Sequence, residues 1–227
     1  MGMHSGVVAS RVPLDRLIEE FDAVGIGLRL VGDVASSDAI PEGNEESYVI
    51  GGQRGGAPYL FDEAMLLSAG RADDLAAIAN RTGELVVGCG AETASQTYYF
   101  SAFEGARLLR LFWMCHSELT TPFSDGAPLA SEALQPMDGD FYGGGVFAAL
   151  RALRFDYEGW EKQGPFRLYI VDRYAVPTER PLELAIKEHC ERHEIPPEDR
   201  PAPIVSIRPT PEPGLWAGVV RWVRRFF

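Results

Sequence analysis

The segment from Thr97 to Cys115 puts the tightest demand on how this chain folds. Thr97 to Phe103 and Arg107 to Cys115 read as two strands joined by a turn at Glu104-Gly105, the pattern of a β-hairpin. In the second arm Leu109, Leu111, Trp113 and Cys115 share one face, while Leu108, Phe112 and Met114 share the other. Successive strand residues point to opposite faces, so a strand apolar on both must be covered on both sides, at least in part.

Around this hairpin the periodicity alternates between helix and strand without a regular βαβ rhythm. Pro13 opens a first helix in which Leu14, Leu17, Ile18 and Phe21 recur at helical spacing, with Gly25 as its stop. Residues 26–31 and 48–50 read as strands, separated by a polar surface loop to Glu46 and followed by Gly51, Gly52, Gly55 and Gly56. The segment 61–68 suits helix or strand. Arg71 to Arg81 reads as a helix burying Leu75, Ile78 and Ala79, and Glu84 to Cys89 as a strand. A turn-rich run from Thr120 to Gly145 precedes a helix at about 146–153, a strand at 166–172 and a helix at 181–193. Seven prolines between Ile195 and Pro213 leave no room for regular helix, so this stretch is a stiff connector. The fold class is α+β: a mixed or antiparallel sheet with a central hairpin at about 97–115, packed by helices. The domain expectation is one α+β domain over 1–194, a Pro-rich connector over 195–213 and an amphipathic helix over 214–227.

Composition narrows the function classes. Apolar residues make up 46% and charged residues 24%, which suits a chain able to bury a sizeable core. A net charge of -12 argues against nucleic acid as a partner, because a phosphate backbone would be repelled. It suits solubility, or a basic partner. Cys89, Cys115 and Cys190 are odd in number and far apart, which fits a reducing cytoplasm better than a disulfide framework. The start of the chain lacks the apolar run of a signal peptide, and no stretch approaches 18 consecutive apolar residues.

One stretch carries a family likeness. Tyr98-Tyr99-Phe100, Gly105, Leu108, Leu109 and Arg110 are followed by Phe123, Gly126, Pro128, Leu129 and Glu132. Later come Phe155, Tyr157, Glu158, Trp160 and Gly164-Pro165-Phe166. This order resembles small uncharacterised bacterial α+β proteins of the domain-of-unknown-function class. The resemblance implies a bacterial source, an α+β fold and an immunity-like role, and it supplies no catalytic residues.

Several short patterns invite chemistry and have plainer readings. His189 and His193 stand at i and i+4, a metal-ligand spacing, but Cys190 occupies the place where a zinc-protease motif needs Glu. Histidines in a last helical turn also suit the helix dipole. Cys115 and His116 are adjacent in a strand, so they point apart and Cys115 reads as a core thiol. The cluster Gly51–Gly56 lacks a P-loop ending, and Gly143–Gly145 precedes a helix whose free N–H groups could hold an anion but follows Asp138 and Asp140, which would repel one, so both read as turns. Asp138-Gly139-Asp140 is too short for a calcium loop. The acid pairs Glu19-Glu20, Glu45-Glu46 and Asp73-Asp74 read as solvated faces. No cofactor and no metal is expected, and no catalytic residue is assigned.

The C-terminal segment is the candidate binding element. On a helix Leu215, Trp216, Val219, Val220, Trp222, Val223, Phe226 and Phe227 crowd onto one arc, with Arg221, Arg224 and Arg225 opposite. Eight large apolar side chains left in water would exceed what a soluble monomer tolerates. They dock on the protein itself or a second copy, on a protein partner, or on a membrane surface. The leading expectation is a non-catalytic, immunity-like bacterial binding protein of the cytoplasm, whose acidic body meets a basic partner or a second copy. The alternatives are a peripheral protein of the inner membrane anchored by this helix, and an enzyme with a cleft near Cys115, His116 and residues 138–145.

Overall fold

A computed structural model describes residues 4–35, 48–62, 65–93, 96–115, 122–137, 144–155 and 164–174. Within them the chain runs β1 (His4–Ser10), α1 (Leu14–Ala23), β2 (Ile26–Val34), β3 (Tyr48–Arg54) and β4 (Ala57–Asp62). It continues through α2 (Ala72–Thr82), β5 (Leu85–Glu92), β6 (Thr97–Glu104), β7 (Arg107–Cys115) and β8 (Phe123–Gly126). A 3-10 turn (Ala130–Ala133), α3 (Gly144–Ala152) and β9 (Phe166–Tyr174) complete it. The nine strands form a single sheet in the order β2-β9-β3-β4-β1-β5-β6-β7-β8. Every strand pairing described is antiparallel, so of the two sheet types expected the antiparallel one forms. The fold is α+β and dominated by its sheet.

Both faces of the sheet are buried, each by its own apolar cluster. Val7 and Ala9 of β1 point to the side where Val146, Ala149 and Leu150 of α3 pack, together with Met137 and Phe155. Val8 points the other way, toward Leu14, Leu17 and Phe21 of α1 and Leu75, Ile78 and Ala79 of α2. Alternate side chains of one strand therefore feed two cores. Apolar burial is worth about 25 cal/mol per Å². A central strand loaded on both faces is thus held more tightly than the one-sided strand of a simple hairpin.

The two hairpins show why local sequence sufficed for parts of this design. β3 and β4 join through Gly55 and Gly56, both at positive φ (58° and 82°), as a type I′ turn requires. β6 and β7 join through Gly105-Ala106, with Glu104 facing Arg107 across the turn. The helices at 14–23 and 72–82 lie within a residue or two of their expected bounds, and Leu75, Ile78 and Ala79 are buried as read.

Other expectations need correction. The segment 4–10 was read only for targeting signals, yet β1 lies at the centre of the sheet between β4 and β5. Residues 57–62 form strand β4, although Pro58 argues against a central strand. Pro58 falls outside the β1-paired portion, which begins at Tyr59, so no ladder bond to β1 is lost there. The turn-rich run from 120 contains edge strand β8. The expected division of β7 into two faces is broken by a register shift between Ala102 and Phe103, which puts Leu108 on the face of Leu111 rather than that of Phe112 and Met114. Phe112, Met114 and Cys115 are buried, while Leu108, Leu109, Leu111 and Trp113 are half-buried. The helix expected at 181–193, the connector at 195–213 and the amphipathic helix at 214–227 lie outside the described residues.

Candidate functional site

The densest group of buried charge sits where the chain crosses from β4 to α2. Arg71, the residue before α2, is 1% exposed and is the largest fully buried side chain of the described residues. Its Nη1 donates to Asp74 Oδ2 at 2.8 Å and its Nε to the Leu66 carbonyl at 3.1 Å. Its guanidinium carbon stands 4.2 Å from the ring centre of Tyr174, the last residue of β9. That cation–π contact ties the end of β9 to the start of α2. Alongside, the Leu67 N–H donates to Asp62 Oδ2 at 2.6 Å. Burial pushes the Tyr174 phenol above its ordinary pKa, and the neighbouring guanidinium opposes that rise. Burial also raises the phenol of Tyr99 and the thiol of Cys89, so both stay protonated at neutral pH.

The crossover lies directly on a floor of glycines. A methyl group at Gly6 would come within 2.6 Å of Ser68 Oγ, and one at Gly90 within 2.8 Å of Met65 Sδ. At Gly88 the clash would be with Leu75 Cδ1 at 2.5 Å. The missing side chains of β1 and β5 are what let residues 65–71 pack flat against the sheet. Arg71 and Asp62 then lock the segment in place. What this cluster does chemically is hold a crossover.

A second buried carboxylate corrects the reading of Glu19-Glu20 as a solvated pair. Glu19 is exposed, but Glu20 is 2% exposed. Its Oε2 accepts from Arg81 Nε at 2.5 Å and its Oε1 pairs with Arg16 Nη2 at 2.5 Å. Arg81 belongs to α2, so the pair couples the two helices of one face. Asp74, also read as solvated, is bound to Arg71, whereas Asp73 faces solvent as expected.

The third cluster explains the sequence motif that carried the family likeness. Arg110 of β7 is 3% exposed and grips Glu132 with two bonds, Nε to Oε1 at 2.8 Å and Nη2 to Oε2 at 2.7 Å. Its Nη1 reaches Ser124 Oγ at 2.6 Å and the Asp125 carbonyl at 3.0 Å. Glu132 Oε1 also accepts the Leu129 N–H at 2.7 Å. Gly126 sits at φ 80°, and a side chain there would meet the Leu109 carbonyl oxygen at 2.5 Å. Arg110, Gly126, Leu129 and Glu132 thus form one clamp that fastens edge strand β8 and the 3-10 turn to β7. A bidentate, largely buried pair of this kind fixes geometry as well as charge.

Charge is nearly balanced across this framework. The described residues hold fourteen carboxylates and twelve arginines, so most of the chain's net charge of -12 lies elsewhere in the sequence. Exposed pairs continue the pattern, with Arg167 on Asp15 and Arg173 on Asp22 binding β9 to α1. An open groove adds to these features. It holds about 330 Å³ between α2 and the β6–β7 turn, lined by Ala76, Ala77, Asn80, Phe103, Ala106 and Leu108.

The residues chosen from sequence as the binding element, Leu215, Trp216, Val219, Arg221, Trp222, Val223, Arg224, Arg225, Phe226 and Phe227, all lie outside the described residues. So do His116, Asp138, Asp140, Gly143, His189, Cys190 and His193. Cys115 is 4% exposed and stands opposite Thr97 at the end of β7. Gly51 and Gly52 lie within β3, and Gly144 and Gly145 open α3. Among the described residues no three His, Cys, Asp or Glu side chains gather as a metal site. Nor is any helix there long and apolar enough to cross a membrane. Sequence reading missed Arg71, Glu20 and the Arg110–Glu132 pair. Only the last left a signal, since both residues belonged to the motif. No family model, curated protein or solved structure matches this chain, and the likeness seen from Thr97 to Glu132 rests on its residue pattern.

Proposed function

We propose that this protein is a non-catalytic, immunity-like binding protein of the bacterial cytoplasm that meets a basic protein partner through its acidic segments. The observation that carries the reading is the separation of charge from framework. Buried Glu20 and half-buried Asp74 and Glu132 are neutralised within the fold by Arg16, Arg81, Arg71 and Arg110. The acid excess falls in stretches such as 36–47, which holds Asp38, Glu42, Glu45 and Glu46 and no basic residue. Clustered carboxylates of this kind raise association rates with a cationic partner and make them salt-dependent.

The test is co-expression with the products of adjacent genes, followed by size-exclusion chromatography at low and high salt. A stoichiometric complex with a basic protein, weakened by salt and by neutralising Asp38, Glu42, Glu45 and Glu46 to their amides, is the expected result. A complex indifferent to that neutralisation, or none at all, overturns the reading. A peripheral membrane role is the second reading, favoured by Trp216, Trp222, Phe226 and Phe227 with three arginines in the C-terminal segment. Co-sedimentation with anionic but not neutral liposomes would support it, and absence from both would end it.

A further inference from the structure

The face of the sheet that carries α1 and α2 is unevenly covered by described elements. α2 lies over β5 and β6. Beyond it, Leu108 and Leu111 of β7 stand opposite Phe103 and Ser101, on α2's side of the sheet, and both are half-buried. The open groove of about 330 Å³ runs along this margin, lined by Ala76, Phe103 and Leu108, with Leu111 next along β7 on the same face.

Three observations bear on what fills it. The chain leaves its last described strand on this same face, since Tyr174 packs on Arg71 at the start of α2. From there to Leu215 it has some forty residues, an extended reach of more than about 100 Å. Helix lengths are comparable: α2 has 11 residues, about 16 Å, and a thirteen-residue helix over 215–227 would span about 20 Å. Charge agrees as well, because Asp73 and Glu84 are exposed at the two ends of α2 and the terminal segment carries three arginines and no acid.

We propose that the C-terminal segment Leu215–Phe227 docks as a helix beside α2, seating its apolar flank in the groove over Ala76, Phe103 and Leu108. Arg221, Arg224 and Arg225 then face solvent and the rim carboxylates. The docking extends the layer of α1 and α2 over β7, and it makes the segment part of the protein's own body. It rests on the reading that the segment covers its apolar flank with protein, and it is independent of the acidic stretches that meet a partner.

The test uses the full chain with Ala106→p-benzoylphenylalanine at the exposed hairpin turn. Irradiated as a mixture of isotopically light and heavy protein, it should give an adduct at monomer mass, within one chain, to a peptide of residues 215–227. Trp222→Glu with Phe226→Glu should reduce that adduct to background. An adduct to any other segment, an adduct between light and heavy chains, no adduct, or an adduct undiminished by the double substitution overturns the proposal. Absence of the adduct from the chain with Trp222 and Phe226 intact, alongside an intact salt-sensitive complex, sinks this docking alone. The reverse outcome sinks the basic-partner reading alone.

Discussion

Replacing Glu132 with alanine tests the idea that a buried ion pair fastens the β8 edge. The substitution removes both carboxylate oxygens from Arg110 Nε and Nη2, and also the acceptor of the Leu129 N–H. Side-chain exposures of 4% for Arg110 and 13% for Glu132 give solvent little access to the stranded guanidinium. Breaking one partner of a buried pair costs about 3–5 kcal/mol. Arg110 keeps Ser124 Oγ and the Asp125 carbonyl, so the lower end, about 3 kcal/mol, is expected. With a urea m-value of about 2.5 kcal/mol per molar, the midpoint should fall by roughly 1.2 M.

A double-mutant cycle separates the pair from mere loss of packing. Arg110→Met with Glu132→Leu removes the charge together with its partner, and such exchanges are often neutral or stabilising. The double variant should therefore be more stable than Glu132→Leu alone, and against the two singles Arg110→Met and Glu132→Leu it should show a coupling energy of at least about 1 kcal/mol. Urea unfolding followed by circular dichroism reads the total. Hydrogen exchange at Leu111 and Trp113, which pair with β8, reads whether the strand opens locally. If Glu132→Ala stays within about 0.5 kcal/mol of the parent, or the cycle shows no coupling, the clamp is not what holds β8.

Three further outcomes follow from the same geometry. Gly126→Ala forces a side chain into φ 80° and against the Leu109 carbonyl oxygen, so a loss of about 2 kcal/mol or more is expected by thermal melting. Arg71→Ala should lower stability by about 3 kcal/mol, because it empties the largest buried site and strands the Leu66 carbonyl and Tyr174 ring. Cys89 and Tyr99 have folded pKa values raised by burial above ordinary values of 9.0 and 10.0. Between the unfolded and folded values the native state holds more protons, so stability must fall as pH rises. Each group contributes a slope of up to about 1.4 kcal/mol per pH unit above its unfolded pKa. Chemical melts from pH 8 to 11 should show this decline, starting later in Cys89→Ala. A flat profile would mean these groups are not desolvated.

The hairpin at 97–115 was legible because alternation, a turn glycine and two apolar arms all act within nineteen consecutive residues. The helices over 14–23 and 72–82 were legible for the same reason, since their buried residues recur at helical spacing. β1 left no such trace. Buried on both faces and built from Ser, Gly, Val and Ala, it has neither alternation nor bulk to announce a strand. Its central place depends on β4 and β5, which come more than fifty and eighty residues later in the chain. β4 was obscured by Pro58, whose missing N–H is harmless only because β1 pairing starts one residue on.

The candidate sites divide along the same line. Carboxylates next to one another at Glu19 and Glu20 look alike in sequence, yet one is exposed and the other is buried between two arginines. Glu20 meets Arg81 across 61 residues, a distance over which local periodicity carries no information. The sequence by itself determined the chain's acid excess, the hairpin at 97–115, the helices over 14–23 and 72–82, and the mixture of large apolar residues and arginines in its last fourteen residues. Those properties are set by composition and by contacts a few residues apart. Only tertiary structure decided which glycines form a floor, which charges are buried in pairs and which margin of the sheet the described helices leave uncovered. Each of those depends on side chains brought together from distant strands, where burial turns an ordinary charge or a missing methyl group into a constraint.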